Sequence, residues 1–124
     1  MPEYLIAFNA EWVPVLSDAQ IREAARTSSA LCTEMQAAGV WVFGAGLDTG
    51  SLVGSVDLVA GKPVPLDGPY AETKEHLGGF CVVTVPDDET ARSWAARLAV
   101  ACGWPQEVHR IMGEPDLGED ADGS

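Results

Sequence analysis

The sequence predicts an α+β domain: one antiparallel sheet, two helices on one of its faces, and a second copy of the chain against the other. Three observations carry this. The apolar patterns run in the order strand, helix, strand, hairpin, short charged turn, strand, helix, strand. The strands at 4–8, 40–43 and 80–85 are apolar on both faces. Two helices can cover only one face of such a sheet. Leaving large apolar side chains in water forgoes about 1.5–3 kcal/mol each. A two-fold partner burying the same surface removes that cost.

Tyr4-Leu5-Ile6-Ala7-Phe8 is β-prone and doubly apolar, as in a strand buried on both sides. Asn9 to Pro14 is a connection that carries Trp12. Leu16, Ser17, Gln20 and Ile21 then fit a hydrophobic staple and a capping box. The helix they start should run from about Asp18 to Ala38, with Gly39 ending it. Its apolar stripe is Ile21, Ala24, Ala25, Leu31, Cys32 and Met35, with Ser28 in line.

Val40 to Phe43 is the second strand. Gly44-Ala45-Gly46 lacks the third glycine of a dinucleotide fingerprint and has no helix pattern behind it, so a bulge or loop near the sheet edge is expected. Ser51–Val59 and Lys62–Leu66 read as a hairpin about Ala60-Gly61, with Val56 and Leu58 on one face and Val64 and Leu66 on one face. Phe80 to Val85 is the third doubly apolar strand. Asp87 or Asp88 caps the second helix, Glu89 complements its dipole, and Gly103 and Pro105 end it. Its buried stripe is Ala91, Trp94, Ala95, Leu98 and Cys102. Glu107 to Ile111 is a last alternating strand, in which His109 reads as a structural histidine. Residues 1–113 form the domain. Glu114 to Ser124, with five acids and no base, reads as a disordered acidic tail.

Composition narrows the function. The 124 residues carry a formal charge of −12, with seven Lys and Arg in all. That argues against nucleic acid or an anionic membrane as partner. Cys32, Cys81 and Cys102 form no spacing motif and read as reduced thiols in a cytoplasmic protein. The N-terminus has neither the basic region nor the apolar stretch of a signal peptide, and no run is long enough to span a membrane.

The segment from Asp67 to Phe80 concentrates the polar chemistry. Asp67-Gly68-Pro69 is a turn. Glu72 to Leu77 suits one or two helical turns that Gly78-Gly79 would end. On such a helix Glu72 and His76, four apart, share a face. Two ligands do not make a metal site, so no metal and no cofactor are expected. His76 or Glu72 would move a proton while Lys74 stabilises developing negative charge. Asp67 would stand at the rim, and Tyr70, Trp41 and Phe43 would form an apolar wall.

The run Asp67-Gly68-Pro69-Tyr70-Ala71-Glu72-Thr73-Lys74-Glu75, with Leu77-Gly78-Gly79-Phe80 behind it, resembles the signature of DGPF-domain proteins in the YCII-related family. Ala38-Gly39-Val40, Gly44-Ala45-Gly46-Leu47 and Ser93-Trp94-Ala95-Ala96-Arg97 fit the same pattern. The resemblance spans roughly residues 3 to 112, with departures at Tyr70 and Cys81. It implies a ferredoxin-like subunit that pairs into a dimeric α+β barrel, a homodimer. It implies no settled reaction. The YCII branch places a His in its first helix opposite a downstream Asp. The first helix here has no His, so that couple is not carried over. Related barrels include cofactor-independent enzymes acting on small organic molecules. The resemblance also implies an association with extracytoplasmic-function sigma factors. Three readings therefore stand side by side: a small-molecule site, a regulatory protein partnered by a sigma factor, and a dimeric scaffold whose motif serves only the fold.

Overall fold

A computed structural model describes residues 1–48, 52–70 and 75–113. In chain order these form β1 (Glu3–Asn9), a 3-10 turn (Ala10–Trp12), α1 (Asp18–Ala37), β2 (Trp41–Gly46), β3 (Ser55–Val59), β4 (Lys62–Leu66), β5 (Leu77–Thr84), α2 (Asp88–Cys102) and β6 (Glu107–Arg110). Strands β2-β5-β1-β6, in that order, make one antiparallel sheet. The β3–β4 hairpin is a separate two-stranded sheet inserted between β2 and β5. This is the ferredoxin-like α+β order.

Local chemistry sets the helix ends. Ser17 Oγ accepts from the Gln20 backbone N–H at 3.1 Å, and Gln20 Oε1 accepts from the Ser17 N–H at 2.9 Å. This reciprocal pair satisfies donors that the first turn would otherwise leave open. Gly39, at φ +76°, turns the chain out of α1. Asp87 caps α2 through the Thr90 N–H, and Gly103, at φ +96°, ends it. The hairpin turns on Ala60 (φ +52°) and Gly61 (φ +79°), two successive left-handed residues that match the twist of paired strands.

One face of the sheet holds the core. Tyr4 and Ile6 of β1 and Cys81 and Val83 of β5 pack with Leu31 and Met35 of α1 and Ala91, Ala95 and Leu98 of α2. The expected α1 stripe is buried only from Leu31 onward, and Ile21 is 52% exposed. A 20-residue helix is about 30 Å long, against about 20 Å for the six-residue β2 beside it, so its first turns overhang the sheet.

Among the described residues the opposite face carries no helix. Leu5, Val82, Phe43 and His109 share one row across it, and Ala7, Phe80, Ala45 and Glu107 the next. The Phe43 and Phe80 ring centroids lie 5.9 Å apart, and Phe43 is 56% exposed. His109 is not alone, since Glu107 Oε1 sits 2.6 Å from its Nε2.

Three local expectations are corrected, all at glycines or beside them. Gly44-Ala45-Gly46 is not a loop but continues β2, and the register irregularity lies upstream, between Trp41 and Phe43. A Cβ on Gly44 would fall 2.5 Å from the Trp41 ring, so this glycine makes room for an indole. The expected helix does not reach Leu77: Glu75 and His76 are non-helical and Leu77 already belongs to β5. Residues 71–74, the start of that expected helix, lie outside the described residues. Gly78-Gly79 is strand and not a terminator. A Cβ would fall 2.7 Å from the Phe8 ring at Gly78 and 2.8 Å at Gly79, so the pair clears space for Phe8 on the neighbouring strand. Ser51 and the acidic tail from Glu114 also lie outside the described residues. Among the described residues no helix is long and apolar enough to cross a membrane.

Candidate functional site

The site forms where β1 ends and β5 begins. Their antiparallel pairing shifts register between Phe8 and Asn9, which lets the chain turn through Ala10–Trp12. The turn stays latched to the start of β5. The Ala10 N–H donates to the His76 carbonyl at 2.7 Å, and the Asn9 side-chain amide donates to Glu75 Oε2 at 3.1 Å. The first of these bonds bears on why His76 is not helical: its carbonyl is taken across the sheet end, not along a helix.

Glu11 completes the latch with one carboxylate and two bonds. Oε1 accepts from the His76 backbone N–H at 2.8 Å, and Oε2 lies 2.6 Å from His76 Nδ1. The backbone N–H, and after it the ring, hold the Glu11 carboxyl below its ordinary value. A carboxylate only accepts, so Nδ1 carries the proton and Nε2 is left as the basic atom of the ring. Both side chains are part-exposed, 38% for His76 and 44% for Glu11.

Beside this couple lies a pocket of about 560 Å³. Its charged and polar lining includes Glu11, Asp48, Glu75 and His76. Leu47, Leu52, Pro69, Tyr70 and Leu77 supply apolar wall. The volume is ordinary for a small-molecule site.

Of the residues expected to form a site, the structure brings Tyr70 and His76 together here. Asp67 is exposed in the bend after β4 and does not line the pocket. Trp41 and Phe43 are elsewhere. Trp41 lies on the helix-covered face of the sheet and Phe43 on the open face, because they point from β2 to opposite sides. Glu72 and Lys74 fall outside the described residues. His76 belongs to no helix, so the helical spacing read from the sequence does not extend to it. Among the described residues, no group of three or more His, Cys, Asp or Glu side chains is arranged to hold a metal ion.

Sequence reasoning missed Glu11, Asn9 and Asp48. Glu11 lies 65 residues from its partner and carries no local motif. One signal was available. In a ferredoxin-like order the first strand pairs with the strand after the Asp67–Gly79 stretch, and extending that pairing past Phe8 sets residues 9–11 against 75–77.

A family model for the YCII-related domain matches residues 10–103. No curated protein matches the chain.

Proposed function

The chain belongs to the YCII-related domain family, and within that family we propose that it binds a small organic molecule beside His76 and exchanges a proton with it. The observation that carries this reading is the double hold of Glu11 on His76 at the wall of a pocket. With Nδ1–H tied to the carboxylate, Nε2 takes a proton from an O–H or an acidic C–H, and Glu11 stabilises the imidazolium that results. Returning that proton to another carbon of the ligand completes an isomerisation; giving it to a hydroxyl on the adjacent carbon as that C–O bond breaks, so that water departs and a C=C forms, completes an elimination.

The lining also selects by charge. Glu11, Asp48 and Glu75 put three carboxylates in the lining that holds one imidazole. An anionic ligand would be repelled, so a neutral or cationic one is favoured. Lys74, which precedes Glu75 in the sequence, is the candidate to soften that preference. A second copy of the chain on the open sheet face belongs to the same reading, as does a cytoplasmic setting. The sigma-factor alternative draws on the family resemblance and the acidic balance, and no described surface favours it over the pocket.

The test is an NMR titration of the labelled protein with a panel of ring compounds matched in size, some neutral, some cationic, some anionic. Neutral or cationic members should shift the signals of Glu11, Tyr70 and His76, and His76→Ala should weaken their binding. A pocket indifferent to the whole panel, or one that prefers the anions, contradicts the reading.

A further inference from the structure

A second cleft, of about 360 Å³, opens between the helices and the sheet, away from His76. Ile6, Phe8, Trp41 and Leu98 give it apolar walls, with Cys32 and Cys102 between them. Gly44 helps to shape it by letting the Trp41 indole lie close against β2. Gln106 lines the cleft, and its side-chain Nε2 is buried with no hydrogen-bond partner among the described residues. The Trp104 indole N–H is buried and unpartnered as well, and its ring packs on Phe8 at 5.3 Å between centroids. Buried donors left open cost about 1–3 kcal/mol each, and native proteins carry few of them. The Gln106 amide, in the lining of the cleft, points to an acceptor brought from outside.

We propose that this cleft is a second binding site, for a neutral and largely apolar molecule of one or two rings that bears a carbonyl-type acceptor for the Gln106 amide. The charge of the ligand follows from the walls. No Lys, Arg or His lines the cleft, so a carboxylate would enter without a counter-ion. The mode is reversible. Burial raises the Cys32 and Cys102 thiols, which keeps them protonated and poor nucleophiles. The volume lies at the lower end of small-molecule sites, which suits a fused bicycle.

The probes are 2-acetonaphthone and 2-ethylnaphthalene, which share a bicycle and differ in the carbonyl. Titrated into the labelled full chain, the ketone should shift the signals of Ser28, Cys32, Gly44 and Gln106 and bind about tenfold tighter than the hydrocarbon. Gln106→Leu should erase that preference while leaving hydrocarbon binding. Ser29→Trp, which fills the cleft from the exposed side of α1, should abolish both. His76→Ala should change neither, which separates this site from the proton-transfer pocket. Equal affinity of the two probes for the unmodified chain, a preference that survives Gln106→Leu, shifts centred on His76, or binding of neither probe overturns the proposal. The comparison of the two probes needs no variant to fold.

Discussion

Glu11 holds His76 by ring and backbone at once, with Oε2 2.6 Å from Nδ1 and Oε1 2.8 Å from the backbone nitrogen. A single ring contact would leave the imidazole free to swing with its loop. Adding the backbone bond fixes the Cα as well, and the Ala10 N–H on the His76 carbonyl fixes the other side of the peptide. The side chain is thus positioned by the end of β1 and not by the loop before β5. Positioned bases of this kind pay less to reach their working geometry.

The clasp should fail in acid. The Glu11 carboxyl is held below its ordinary 4.5, chiefly by the His76 N–H. A lowered folded-state value means that the interaction is complete above the ordinary value and is lost as pH falls through the lowered one. The His76 amide proton shift should therefore titrate with a midpoint below 4.5, and Glu11→Ala should remove that titration. A midpoint at or above 4.5 would show that the carboxylate is not so held.

Gly78→Ala should destabilise by about 1–3 kcal/mol, the usual cost of overpacking. The new Cβ would meet the Phe8 ring at 2.7 Å. Gly46→Ala, which meets nothing within 4 Å, is the contrasting variant and should be nearly neutral. Urea denaturation measures both. In a Phe8→Ala background Gly78→Ala should cost less than in the unmodified chain, because the two sites are in contact. Equal effects at Gly78 and Gly46 would mean that Phe8 does not fill the space.

The open sheet face should bind a second copy. Sedimentation velocity should give twice the 13.1 kDa chain mass, and Phe43→Glu with Val82→Glu should give the single chain. Those two residues stand in register across β2 and β5, so the pair of charges takes up the β2 half of the row. A folded monomer at micromolar concentration before any substitution would remove the need for a partner.

Cys81 should resist modification. Burial pushes its thiol up to about 12, and it is only 5% exposed. A thiol reagent at pH 8 should leave Cys81 untouched in the native chain and modify it in denaturant. Rapid native labelling at Cys81 would mean that β5 opens readily.

Legibility in the sequence followed the range of the interaction. The helix starts at Ser17 and Asp87 and the ends at Gly39 and Gly103 were readable because their partners lie within a few residues. The doubly apolar strands were readable for the same reason, since alternation is local. The glycines misled wherever their cause was distant. Gly44 clears space for Trp41 and Cys81, and Gly78-Gly79 for Phe8, none of which a local reading can supply. His76 and Tyr70 both line one pocket, whereas Trp41 and Phe43, expected in the same wall, do not. Residues two apart share a face in a regular strand, and the register irregularity between Trp41 and Phe43 sends these two to opposite faces of the sheet. Glu11 was invisible until β1 was paired with β5.

The most direct test of the account is the tautomer of His76, read from the nitrogen resonances of its ring at about pH 9, well above the ordinary imidazole value of about 6.5. The clasp predicts the proton on Nδ1 in the unmodified chain and a shift toward the Nε2–H form in Glu11→Ala. An Nε2–H ring in the unmodified chain, unchanged by Glu11→Ala, would contradict it, because no base would then face a ligand.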